Sequence, residues 1–336
     1  MHVDVRDVAC TVAEFGFLSA LLTNTLLIYL TARHTQNING TYKHMIILFA
    51  ILGLSFSCTE MLARPFVHNY NGSFIYFSLA KGISEWKPAV MTLLVVYSGV
   101  YSALISFVAV QFIYRWLTLV NQQRLELLFN GWKIAIWLVY IASFGLIWGA
   151  LVYFCGLPDK LSNDYIRREL DDVYGMRVES LAVFIIVAYD ADSKVRWSSV
   201  LFLFGTCSIL VIQYAVMVFC GTSMHLQMTE KLKHFSVTHQ RLQRQLFKVL
   251  VLQITVPTVL FHMPIFPVLT APFLNAHVSF QSGVIYSLFS LYPPIDGLII
   301  MCVVSDYRNA MSKLLGRPVS GASVSTVRTA VESRLY

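Results

Sequence analysis

Long apolar runs alternate with short charged segments through this chain, and each run has the length of a membrane-crossing helix. A helix rising ~1.5 Å per residue needs about 20 apolar residues to cross a hydrocarbon core. Seven runs meet that length, at residues 8–32, 42–66, 88–117, 131–155, 198–224, 245–271 and 281–304. None shows the short alternating pattern of a membrane strand. The pattern predicts an all-α membrane protein, a bundle of seven transmembrane helices over residues 1–315. Residues 316–336 are rich in Ser and Thr and thinly apolar, which predicts a disordered tail. No duplication of halves is evident, which counts against many transporter folds.

Composition adds one exclusion. The 336 residues are 57% hydrophobic and only 13% charged, about half the charged share of a soluble domain, so no large soluble domain fits. The net charge of +7 is therefore read segment by segment, as membrane orientation and not as a nucleic-acid surface. With the N-terminus outside, the cytoplasmic segments hold 15 of the 25 Lys and Arg against four acids. Six of the other ten lie in one long loop that also carries eight acids. Short loops decide orientation, so the expectation is N-terminus outside and C-terminus cytoplasmic. The sequon at Asn71, in the loop after the second run, then lies outside and accepts a glycan, while that at Asn39 lies inside and does not. Residues 1–8 lack the basic region of a cleaved signal peptide, so the first run is expected to be retained.

The long loop, residues 156–197, contains the β-branched apolar stretch 181–189, too short to span. Two readings stand: a strand folded over the mouth of the bundle, or a loop packed on its own helix ends. The six cysteines show no paired spacing that suggests a metal or redox centre. Paired carboxylates, a His/Cys cluster and a phosphate-binding glycine loop are missing too, so no cofactor and no enzyme activity are expected.

Polar groups inside the runs mark function or internal pairing. Glu60 and Arg64 stand at i, i+4 in a favourable order, which predicts an ion pair. Asn24 and Asp296 lie at similar depth in the first and last runs, which predicts a hydrogen bond between them, direct or through water, with Ser55 of the second run at similar depth. Arg241, Arg244 and Lys248 share one face of a stem that leads into the sixth run, where Pro257 and Pro264 can kink the helix. Tyr114-Arg115 closes the third run at its cytoplasmic end. Arg115 there is either a snorkelling anchor or a clasp on neighbouring helices.

The third run carries no Asp or Glu that could oppose an amine. Tyr97, Ser98, Tyr101 and Ser102 on it, with His262 on the sixth run and Tyr286 on the seventh, are the candidate ligand contacts. Aromatic walls with a few neutral polar groups suit a small, neutral, weakly polar molecule such as a ketone, ester or alcohol. A transporter or ligand-gated channel is the alternative reading of seven spans with internal polar groups.

Several of these segments resemble the nematode serpentine chemoreceptors of the str family. They are the stretch from Gln245 to Gln253 with Pro257, Gly40 to Lys43, Glu60 with Arg64, Pro65 and His68, Tyr114-Arg115, and Tyr292-Pro293 leading to Asp296. The resemblance runs from about Gly40 to Arg308. Gly297 stands where the family's signature has proline. Membership would imply a G-protein-coupled odorant receptor, in a family best known for a diacetyl receptor. A small odorant-like ligand, a heterotrimeric G protein and membrane lipids would be its partners, and a sensory-neuron cilium its place. Tyr114, Arg115, Pro257, Tyr292, Pro293, Asp296 and Asn24, with the basic stem, would then carry activation.

Overall fold

The computed structural model describes residues 4–35, 38, 40–80, 86–234, 236–274 and 278–316. The sequon at Asn39 and the tail beyond residue 316 lie outside the described residues.

Seven long apolar helices form the bundle: span one Val5–Arg33, span two Gly40–Ala63, span three Lys87–Val120, span four Gly131–Gly156, span five Trp197–Lys231, span six Val237–Leu274 and span seven Gly283–Val303. Each overlaps its expected run. Spans five and six extend further at the end away from the chain's N-terminus, because their cation-bearing turns are helical without being apolar enough to count as membrane. Span three runs through the middle, packed on spans two, four and five. It crosses span four glycine against glycine: a Cβ on Gly99 would lie 2.9 Å from the Gly145 carbonyl oxygen, and one on Gly145 equally close to that of Gly99.

Two spans break regularity where proline removes a donor. Pro257 and Pro264 cannot donate to the carbonyls four residues back. Between them, Thr258–His262 forms one wide π-helical turn, followed by Met263–Thr270 and a 3₁₀ turn, Ala271–Leu274. In span seven the 3₁₀ turn Leu288–Leu291 precedes the helix Tyr292–Val303, so Pro293 and Pro294 fall in its first turn, where a missing N–H costs little. Asp296 therefore sits in regular helix, and the loosening lies before it.

The segments outside the bundle carry an element that the sequence pattern does not disclose except for one strand. Strands β1 (Pro65–Tyr70), β2 (Ser73–Ser78), β3 (Val183–Val187) and β4 (Ser279–Phe280) make one antiparallel sheet in the order β3-β2-β1-β4. The stretch 181–189 is thus a strand over the mouth, the first of its two readings. β1 and β2 turn at Asn71-Gly72, with Asn71 at φ 47°. One face of the sheet, with Val67, Phe74, Tyr76, Phe184 and Ile186, joins the core of the bundle. The other, with Phe66, Ile75, Phe77, Ile185 and Val187, is covered by Ile166, Leu170 and Tyr174 of the amphipathic helix Lys160–Tyr174. Asp159 and Ser162 cap that helix reciprocally.

Candidate functional site

Beneath the sheet, spans three to seven line a cavity of about 80 Å³. Phe74 and Tyr76 of β2 form the ceiling. Tyr97, Ser98 and Tyr101 project from span three, Trp148 and Val152 from span four, Phe202 and Leu210 from span five, His262, Ile265 and Leu269 from span six, and Tyr286 and Phe289 from span seven. No Asp, Glu, Lys or Arg is among them. Five of the six expected ligand contacts are therefore brought together.

Ser102 is the exception. Its hydroxyl donates to the Phe144 carbonyl of span four at 3.1 Å. Spacing of four places Ser98 and Ser102 on one face, but the close crossing at Gly99 and Gly145 presses the lower end of that face against span four.

A polar chain crosses the floor. Thr258 donates to the Ile254 carbonyl (2.6 Å), so its oxygen accepts from Tyr214 (2.6 Å). With its proton so used, the Tyr214 oxygen accepts from His262 Nδ1–H (2.8 Å), and the neutral ring's Nε2 then accepts from the Tyr101 hydroxyl. One donor direction follows from another across spans three, six and five. The sequence pattern does not single out Tyr214. Its position beside Gln213 inside an apolar run is the available signal.

Glu60 corrects another expectation. It is 2% exposed and accepts from Tyr97 (3.3 Å) and Ser290 (2.6 Å), with no ion pair to Arg64. Span two ends at Ala63, and Arg64 takes φ 41°, so helical spacing no longer describes the pair. Arg64 instead reaches Glu14 of span one at 3.2 Å. Glu60 stands behind Tyr97, outside the pocket lining.

Deeper in the bundle, Gln253 of span six donates to Asp296 of span seven at 2.8 Å. Asn24, the expected partner of Asp296, donates to the Ala20 carbonyl (3.1 Å) and to that of Pro293 (3.4 Å), one turn away. Ser55 is exposed and bonds within its own helix. Gly53 holds the place facing Asn24 and Pro293.

At the far end, Arg115 is 5% exposed and lies over the Tyr42 ring, 3.4 Å from its centroid. Its Nη1 donates to Gln243 of span six at 3.4 Å. Tyr114 stacks on Tyr42 and meets Phe129 edge-on. Arg115 thus contacts both span two and span six. Arg241, Arg244 and Lys248 line one exposed groove of span six.

This arrangement has relatives. The profile of the serpentine type 7TM GPCR chemoreceptor Str family matches residues 9–312. The chain belongs to the Str family. It is 61% identical over 340 residues to G-protein coupled receptor str-33 of Caenorhabditis elegans, covering 100% of this chain and 99% of that one. Serpentine receptor class r-10 of the same nematode is 26% identical over 321 residues, with 93% and 91% covered. The crystal structure of squid rhodopsin superposes with a TM-score of 0.58 over 94% of this chain and 87% of that one, at 13% identity, a likeness of fold. As a Str-family receptor, the protein is an integral multi-pass membrane protein of a chemoreceptor family and not of an enzyme family.

Proposed function

We propose that the protein is a chemosensory receptor at the plasma membrane of a sensory neuron, in its cilium. It binds a small neutral molecule beneath the outer sheet and activates a heterotrimeric G protein at its cytoplasmic end. The observation that carries this reading is the uncharged pocket whose floor, at His262, is the π-helical turn of span six. A ligand that displaces the Tyr101–His262 contact acts directly on the turn between Pro257 and Pro264. Two turns further along the same helix, Gln253 holds Asp296, and beyond it Gln243 touches Arg115. A ligand that prefers one setting of that helix shifts the population of the cytoplasmic end. There, Arg115 and the groove of Arg241, Arg244 and Lys248 offer donors to a G protein.

The lining hydroxyls narrow the ligand. Tyr76 donates to the Leu94 carbonyl, Tyr97 to Glu60, Ser98 to the Val95 carbonyl and Tyr101 to His262. Tyr286 is hydrogen-bonded to Tyr76. Their hydrogens are engaged within the protein and the walls present mostly apolar surface, which favours a small, neutral, weakly polar guest.

The test is GTP exchange on a purified G protein, driven by the receptor in vesicles and screened with matched small alcohols, ketones, esters and amines. Stimulation by neutral members that Tyr101→Phe and His262→Ala weaken, at unchanged surface expression, supports the reading. A best agonist that is a charged amine requiring Glu14 overturns it.

A further inference from the structure

We propose that this pocket fills from the bilayer, through the wall between spans five and six, so that its ligands are molecules that partition into lipid. The inference rests on the pocket being the ligand site and adds how and from which phase it is reached.

Among the described residues, the ceiling is held in place by hydrogen bonds to the spans. The sheet is bolted to the ends of five spans. Ser78 donates to the Ala63 carbonyl of span two (2.6 Å) and Tyr76 to that of Leu94 on span three (3.1 Å). Ser199 of span five donates to the Val187 carbonyl (2.6 Å), Asn69 to the Val268 carbonyl of span six (2.7 Å), and Ser282, just before span seven, to Asn69 (2.7 Å). At span four, Gly156 fits so closely under Phe184 that a Cβ would come within 3.0 Å of its side chain. The helix Lys160–Tyr174 seals the far face of the sheet. Opening this roof would break several buried hydrogen bonds and two apolar layers together.

The walls differ. Spans three and four meet at glycines. Span five rests on spans three and four, whereas the sheet-end half of span six rests on span seven. Between five and six the hydrogen-bonded link is low, at Tyr214 with Thr258 and His262. Above it Phe202 and Leu210 line the pocket on one side and Ile265 and Leu269 on the other, up to the hydrogen bond from Tyr189 to the Phe273 carbonyl (2.8 Å). Leu210 and Leu269 are partly exposed while also lining the cavity, so each reaches both the interior and the surface. The outward positions of these helices, among them Phe204, Met263 and Phe266, are apolar and face hydrocarbon. Rotamer changes of Leu210 and Leu269 suffice to admit a small guest, and an ion would meet the full cost of the bilayer first.

Access rates at a thiol inside the pocket test this. Ser98→Cys in the full-length receptor in lipid nanodiscs is treated with neutral benzyl methanethiosulfonate or with its charged trimethylammonium-ethyl analogue, and modification of residue 98 is followed by peptide mass spectrometry. The neutral reagent should label about a hundredfold faster. Leu210→Trp with Leu269→Trp should slow that labelling about tenfold, and Leu210→Ala should speed it, so that misfolding of one variant does not mimic the result. Equal rates for the two reagents, or a neutral rate indifferent to both changes, overturn the lateral route while the pocket stands. A thiol introduced by Ser98→Cys that labels only after denaturation removes the pocket reading itself, and this inference with it.

Discussion

Gln253 donates to Asp296 across 2.8 Å, tying span six to span seven inside the membrane one turn from Pro257. Removing a buried hydrogen bond costs ~1–3 kcal/mol on the side that loses it. If the bond belongs to the resting arrangement, Gln253→Leu raises ligand-free nucleotide exchange severalfold, and Asp296→Asn, which keeps a partner for Gln253, raises it less. Basal GTP binding in receptor membranes measures both. Unchanged basal activity in Gln253→Leu would separate this contact from signalling.

The crossing of spans three and four gives a stability prediction. A side chain at Gly145 meets the Gly99 backbone, which cannot rotate away. Gly145→Val should therefore cost ~1–3 kcal/mol or more and lower surface expression. Gly40→Ala, where nothing lies within 4 Å of an added Cβ, serves as the neutral control. Thermal inactivation in detergent ranks the two.

The sheet holds a titratable cluster. His68, fully buried in β1, contacts Glu169 through Nε2 and Tyr174 through Nδ1, both at 3.0 Å. Burial pushes the His68 pKa below its usual 6.5, against the opposing pull of Glu169. The unfolded sheet then binds more protons in the window just below pH 6.5, so its stability is complete above that pH and falls as pH drops through the window. Hydrogen exchange in residues 66–77, corrected for the intrinsic pH effect, should lose protection as pH falls below about 6.5. His68→Gln should flatten that slope whatever it does to overall stability.

Orientation is open to a mobility test. If the sheet end is outside, a glycan attaches at Asn71, and Ser73→Ala increases electrophoretic mobility, whereas Thr41→Ala does not. The opposite pattern would invert the bundle.

The seven spans were legible because apolar runs of that length have few other uses. The hairpin was not, although Asn71-Gly72 is a strong turn signal. Both faces of β1 and β2 are buried, one by the bundle and one by the helix Lys160–Tyr174, so the alternation that marks a half-exposed strand is missing. Within the site, Tyr97 and Tyr101 followed from helical spacing on one element. Glu60 with Arg64 failed because the helix ends between them. Asn24 makes its direct contact one turn before Asp296, since depth along a span does not fix which way a side chain faces. Phe74 and Tyr76 were out of reach, because only the sheet brings them over the cavity.

The sheet draws its strands from three separate connections: residues between spans two and three, four and five, and six and seven. β1 and β2 form a local hairpin, and β3 and β4 take their register from it although each is encoded in another connection. Exchanging one of these segments with a relative's should therefore mispair the sheet, whereas exchanging all three together should be tolerated. Variation in what the receptor detects is then easier to accumulate on the helical walls than on these connections, so the sheet end of the protein is constrained where exposed loops usually vary.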